Sequence, residues 1–258
     1  MSTPADTTYS TTNNMETQNN DPSEIETMFG LWVEQVLKDD ANKVVDSLKR
    51  LWDILLQETV MDETEAKDSL TLLGVHRTLL AVMSKWKHDA NIQHFACRCL
   101  AVLLVENEVA MTDLALSGGM ESICAALERF PESENVQAAG IWAMQNLLCG
   151  GNATTQPHHH AIDEATKRFV VEVDGLALVV KAMEEFPANA FILGCSSWLF
   201  HNLYDAHDEY YMYCQGFVQQ GVAEAVQTAL QNHAHDDGVK EAATVCLEKI
   251  FATNKKQV

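Results

Sequence analysis

From Ile25 onward apolar residues recur at helical spacing, and polar breaks divide the pattern into helices of three lengths. The medium runs are Val75–Trp86, Met120–Phe130, Leu176–Phe186 and Val222–Gln231. Each is followed by a break (His88-Asp89-Ala90, Pro131-Glu132-Ser133, Pro187-Ala188-Asn189, His235-Asp236-Asp237-Gly238) and then by a longer run: Asn91–Val105, Glu134–Cys149, Ala190–Tyr204 and Gly238–Phe251. Proline cannot continue a helix interior, so Pro131 and Pro187 belong at a helix end or in the turn after it. Short amphipathic pieces, Glu108–Leu116, Asp163–Val173 and Glu209–Gln220, lead into the next medium run. Glycines mark that junction: Gly74, Gly119, Gly175 and Gly221 recur at 45, 56 and 46 residues. The longer middle interval predicts an insertion at about 150–162, where Gly-Gly-Asn and Pro157 break helices.

Two of the units align without a gap. Gly119-Met120 through Arg129-Phe130-Pro131 to Trp142-Ala143-Met144-Gln145-Asn146-Leu147 matches Gly175-Leu176 through Glu185-Phe186-Pro187 to Trp198-Leu199-Phe200-His201-Asn202-Leu203. Such self-similarity marks a repeat protein, which buries one continuous core by stacking like units. The grammar of short, medium and long helices, with glycine between the first two, resembles the armadillo repeat; HEAT repeats, which lack the distinct short helix, are the alternative. The resemblance implies an all-α, right-handed superhelical solenoid over residues 67–251. Residues 24–66, with helices at Ile25–Leu37 and Lys43–Gln57, read as a degenerate capping unit without the glycine. Residues 252–258 form a C-terminal tail. Thirteen of residues 1–23 are Ser, Thr or Asn, a composition that cannot bury enough apolar area to offset the entropy of ordering, so this stretch is expected to be a disordered tail.

Composition narrows the function. With 17 Lys plus Arg against 37 Asp plus Glu, the net charge is −20. Such a surface repels phosphate backbones and anionic lipid, which argues against nucleic-acid or membrane partners, and it draws basic ones. No apolar run reaches membrane-spanning length. No Lys or Arg precedes Lys38, which argues against a signal or transit peptide. The seven cysteines lie mostly within apolar helical runs, with no ligand spacing; they read as free buried thiols of a reducing compartment, the cytoplasm or nucleus.

Three constellations are candidates for chemistry. In Trp142-x-x-x-Asn146 and Trp198-x-x-x-Asn202 a spacing of four puts both side chains on one helix face. The long helix lines the concave surface of armadillo arrays, and the pairs are similar to the Trp/Asn ladder of the importin alpha family. The resemblance implies amides that hold an extended peptide's backbone and indoles that flank its lysine and arginine stems. Asp205, just beyond the second pair, would attract the same basic peptide. At the equivalent positions the neighbouring units carry Arg98 and Val102, and Val245 and Lys249. His158-His159-His160 in the insertion suits a solvated loop better than a metal site. The dipeptides His88-Asp89, His207-Asp208 and His235-Asp236 raise the alternative of a metal-dependent all-α phosphohydrolase, although Asp at a helix start needs no catalytic explanation. Tyr204, Tyr210, Tyr211 and Tyr213 cluster near one helix junction and read as packing between units. No phosphate-binding glycine loop, His-Glu-x-x-His or nucleophile elbow occurs. The expectation is a non-catalytic protein-binding scaffold or adaptor without cofactor or metal; a structural subunit of a larger complex is a further alternative.

Overall fold

The computed structural model describes residues 40–56, 63–148, 174–205 and 221–255, together with Thr27, Gly30, Trp32, Val33, Val36, Ala165 and Phe169. The side chains at 63–66, 204, 205 and 253–255 lie outside the described set. The expected tail 1–23, the insertion with its histidines, the dipeptide His207-Asp208 and the tyrosines at 210, 211 and 213 lie outside the described residues. So does most of the helices expected at Ile25–Leu37, Asp163–Val173 and Glu209–Gln220.

The described residues form eleven helices and no strand: α1 (Ala41–Leu56), α2 (Glu63–Leu72), α3 (Val75–Lys85), α4 (Ala90–Leu103), α5 (Glu108–Leu116), α6 (Gly119–Arg129), α7 (Glu134–Leu147), α8 (Gly175–Glu185), α9 (Ala190–Asp205), α10 (Val222–Asn232) and α11 (Asp237–Lys255). The medium and long helices start within a residue of the starts that the polar breaks imply. A side-chain cap explains several of them. Asp89 accepts from the backbone N–H groups of Asn91 and Ile92, Asn107 from Ala110, Asn189 from Ile192 and Asp236 from Val239, each meeting a donor that the first helical turn leaves unpaired. Helix α2 begins at Glu63, so the boundary expected between residues 66 and 67 falls inside a helix.

The elements stack in rows. The long helices pack in the order α1, α4, α7, α9, α11, and the medium helices in the order α3, α6, α8, α10. Short helices α2 and α5 touch one another at the edge, and each also touches the medium helix after it. Between the rows runs one core that includes Leu79, Ile92, Leu100, Leu103, Ile123, Leu127, Met144, Val179, Leu199 and Phe200. Full burial of each such leucine is worth about 1.5–3 kcal/mol, so most of the stability resides in this seam.

The glycine signal lies one residue away from its expected place in two units. The left-handed backbone position before each medium helix is held by Gly74, Gly118, Asp174 and Gly221, with φ of 80°, 78°, 48° and 72°. Asp tolerates this conformation better than most residues. Gly119 and Gly175 are instead the first helical residues, and they are glycine because of crowding. A Cβ at Gly119 would enter the Leu114 side chain and approach the Leu114 carbonyl oxygen at 2.8 Å; one at Gly175 would enter the ring of Phe169.

An internal clasp closes two units. The buried Gln93 amide donates to the carbonyls of Met83 and Trp86 (2.9 and 3.2 Å), and Gln137 makes the same pair of bonds to Leu127 and Phe130 (2.8 and 3.0 Å). Each glutamine, four residues after its long helix's cap residue, thus ties down two carbonyls at the end of the preceding medium helix, of which those of Trp86 and Phe130 also accept from the backbone N–H groups of Asp89 and Ser133. Leu193 and Lys240 stand at the equivalent positions of the last two units.

Candidate functional site

The candidate surface is the face of the long-helix row left open by the medium helices. In register with the caps at Asp89, Ser133, Asn189 and Asp236, two ladder positions run along it. The first is Arg98, Trp142, Trp198 and Val245; the second is Val102, Asn146, Asn202 and Lys249. Trp142, Asn146, Trp198 and Asn202 are all half-buried, on the adjacent helices α7 and α9. Asp205 is the last residue of α9, and its side chain is outside the described set.

Both asparagines bind protein backbone. Asn146 Nδ2 donates to the Ala101 carbonyl of α4 at 2.8 Å, and Asn202 Nδ2 reaches the Gln145 carbonyl of α7 at 3.5 Å. Ala101 and Gln145 each directly precede the equivalent ladder residue of the helix before, so the two contacts are one contact repeated. The amides therefore hold successive long helices together, while each Oδ1 stays with acceptor capacity for another group.

The tryptophans are embedded in an aromatic chain. Trp142 meets Trp52 of α1 with ring centroids 6.1 Å apart at 74°, and Phe191 of α9 at 5.7 Å and 79°. Both are edge-to-face arrangements, which add about 0.5–1.5 kcal/mol each beyond area burial. Trp198 packs edge-to-face on His201, one turn along its own helix, at 5.4 Å.

A reciprocal exchange of cations links α1 to α4. The Arg98 guanidinium lies 3.9 Å from the centroid of Trp52, and the Lys49 ammonium lies 5.4 Å from that of Phe95. Each helix supplies a cation and an aromatic three residues apart, and each cation covers the other helix's ring. The sequence places Arg98 only as the counterpart of the ladder tryptophans, and its periodicity does not reveal Lys49, Trp52, Phe95 and Phe191. The matching i, i+3 spacing on α1 and α4 is the signal that could have found the first three.

Elsewhere the titratable groups read as structural. Asp89 and Asp236 cap α4 and α11, which α7 and α9 separate in the row. At roughly 8–10 Å per packed pair these two carboxylates cannot share a metal ion. Among the described residues no group of three or more His, Cys, Asp or Glu is placed to hold one, and no helix is long and apolar enough to cross a membrane. Cys97, Cys99, Cys124, Cys195 and Cys246 are free and buried. Burial pushes the thiols of Cys97, Cys124, Cys195 and Cys246 up to about 12 and Cys99 upward likewise; a thiol held protonated is a poor nucleophile.

Stacked helical units around one seam, with a row of long helices presenting an open face, define an α-solenoid. Residues 48–156 match the family model of the LRRK2 ARM repeat. Over that stretch the repeats are of the armadillo type. No curated protein matches the chain.

Proposed function

We propose that this protein is a non-catalytic binding scaffold or adaptor that receives a protein segment on the open face of its long-helix row. One observation carries the reading: two adjacent helices present half-buried Trp142 and Trp198, each one turn from an asparagine in the same register. Packed helices lie roughly 8–10 Å apart. Three residues of extended chain span about that distance, so a single strand would meet both pairs. The Asn Oδ1 atoms would accept from its backbone and the indoles would supply apolar contact. The net charge of −20 favours basic partners at long range. At contact range the face carries Lys49, Arg98 and Lys249. Buried free thiols support a reducing compartment, the cytoplasm or nucleus, as its site of action.

A photo-crosslinking amino acid placed at Trp198, at Trp142, or at exposed Glu128 of α6 tests this in cells. Adducts from the first two sites and none from the third support the long-helix face. Adducts from Glu128 alone would move the partner surface to the other side of the stack.

A further inference from the structure

We infer that the α11 end of the stack docks a basic amphipathic helix of a partner protein, seated where a further repeat's long helix would lie. It is a second surface, separate from the open face of the long-helix row.

At the earlier junctions the next unit covers one stripe of each long helix. The Ala101 carbonyl accepts from Asn146 and the Gln145 carbonyl from Asn202, so this register position sits against the following long helix. Glu248 holds it on α11, and among the described residues no helix lies beyond α11 in the row. The rest of the stripe agrees. Thr244 is exposed, whereas its counterparts Cys97, Ile141 and Ser197 are fully buried. Phe251 is 50% exposed, against 1% for Leu104 and 3% for Leu148. On α10, Leu230 is half-buried where Met83, Leu127 and Met183 are buried. Together Leu230, Thr244, Leu247, Glu248, Phe251 and Ala252 line an open groove of about 480 Å³.

The groove suits a helix. The exposed residues Asp237, Glu241, Thr244, Glu248 and Phe251 recur at alternating intervals of four and three, the spacing of a seam along which two helices pack. A polar outer face keeps a terminal repeat soluble, and Thr244 and Glu248 fit that rule. Leu230 and Phe251 do not: apolar side chains in a groove are the contacts that hold the apolar ridge of a docked helix. The rim sets the partner's charge. Asp237, Glu241 and Glu248 outnumber Lys240 along the stripe, so lysines or arginines flanking the partner's ridge would meet carboxylates. A second copy of this chain would instead set the same acidic stripe against itself, under a net charge of −20 per molecule.

Fluorescence anisotropy on the full chain tests this with three labelled peptides of about 18 residues, roughly five helical turns. One carries a leucine seam flanked by lysines, one the same seam flanked by glutamates, and one the first composition scrambled so that no seam forms. At about 150 mM salt, where distant charges are screened, only the first is expected to bind. Phe251→Ser should weaken it about tenfold or more, and so should Glu241→Lys with Glu248→Lys. Glu128→Lys with Glu132→Lys, the same change of net charge on exposed residues of α6 and the turn after it, should shift it less than about twofold. Should Phe251→Ser misfold, the two charge-reversal pairs carry the test. Equal losses in both pairs, or equal binding of the scrambled peptide, would reduce the effect to bulk attraction and overturn the groove. Preference for the glutamate peptide would overturn the sign. Dimers in sedimentation equilibrium that Phe251→Ser abolishes would make the occupant a second copy, and binding of none of the three peptides would overturn the inference outright.

Discussion

Asn146 donates its side-chain amide to the Ala101 carbonyl at 2.8 Å across 45 residues of chain, so a side chain expected to hold a partner also holds its own neighbouring repeat. Removing it should therefore cost stability as well as binding. Asn146→Ala should destabilise by about 1 kcal/mol, the usual worth of such a bond. Asn202→Ala, whose contact is 3.5 Å long, should cost less. Urea midpoints for the two variants check the order; equal and negligible effects would show that neither amide staples the repeats.

The glutamine clasp should matter more. Gln137→Ala deletes two hydrogen bonds and strands the Leu127 carbonyl, while that of Phe130 keeps the Ser133 N–H at 3.1 Å, and a loss of about 2 kcal/mol is expected. Gln137→Leu copies the residue that the next repeat carries at Leu193 and refills the apolar volume, so it should be milder. Denaturation of both variants decides; a leucine worse than alanine would contradict the comparison.

Two glycines should respond with opposite signs. Gly119→Ala forces a methyl group into Leu114, and overpacking of this kind costs about 1–3 kcal/mol. Gly194, inside α9, has nothing within 4 Å of an added Cβ, so Gly194→Ala should stabilise by roughly 0.5–1 kcal/mol through helix propensity. Thermal melts of the pair measure both.

Mild acid should weaken the fold. His76 is buried between α3 and α5, where its Nε2 meets Asp113 Oδ2 at 3.3 Å and Arg77 shares the same oxygen at 2.7 Å. Burial holds its pKa below the ordinary 6.5, with Asp113 opposing; burial lowers His94 too. A histidine with a depressed folded pKa is neutral in the native state while the unfolded chain takes up a proton. Stability is thus full above about pH 6.5 and falls as the pH drops below it toward the folded value. Urea midpoints at intervals from pH 7.5 to 5.5 should decline, and His76→Gln should flatten the slope. An unchanged slope would remove His76 from the account.

Much of this architecture is legible locally. The medium and long helices follow from apolar periodicity and from caps at Asp89, Asn189 and Asp236, because both signals lie within a few residues of the structure they create. Glycine at 119 and 175 was legible as a marker but not as a mechanism. In Gly118-Gly119 and Asp174-Gly175 the left-handed turn and the crowded contact fall on neighbouring residues, and only the packing of Leu114 and Phe169 separates them. The clasp at Gln93 and Gln137 was missed because a buried amide in an apolar helix has no partner in its own segment. The Trp/Asn pairs were found, while their neighbours Trp52 and Phe191 were not, since contact between α1 and α7 depends on how the helices between them stack.

The row α1, α4, α7, α9, α11 has a mechanical consequence. Each long helix packs chiefly on the next, with the Trp52–Trp142 contact the one described bridge across two steps, so the separation of the ends is set largely by four hinges in series. A few degrees of adjustment at each, too little to disturb any single interface, would add up at the termini to a displacement larger than any one joint permits. A ligand bridging two or three of these helices would act as a splint, stiffening the span it crosses while the rest continues to flex.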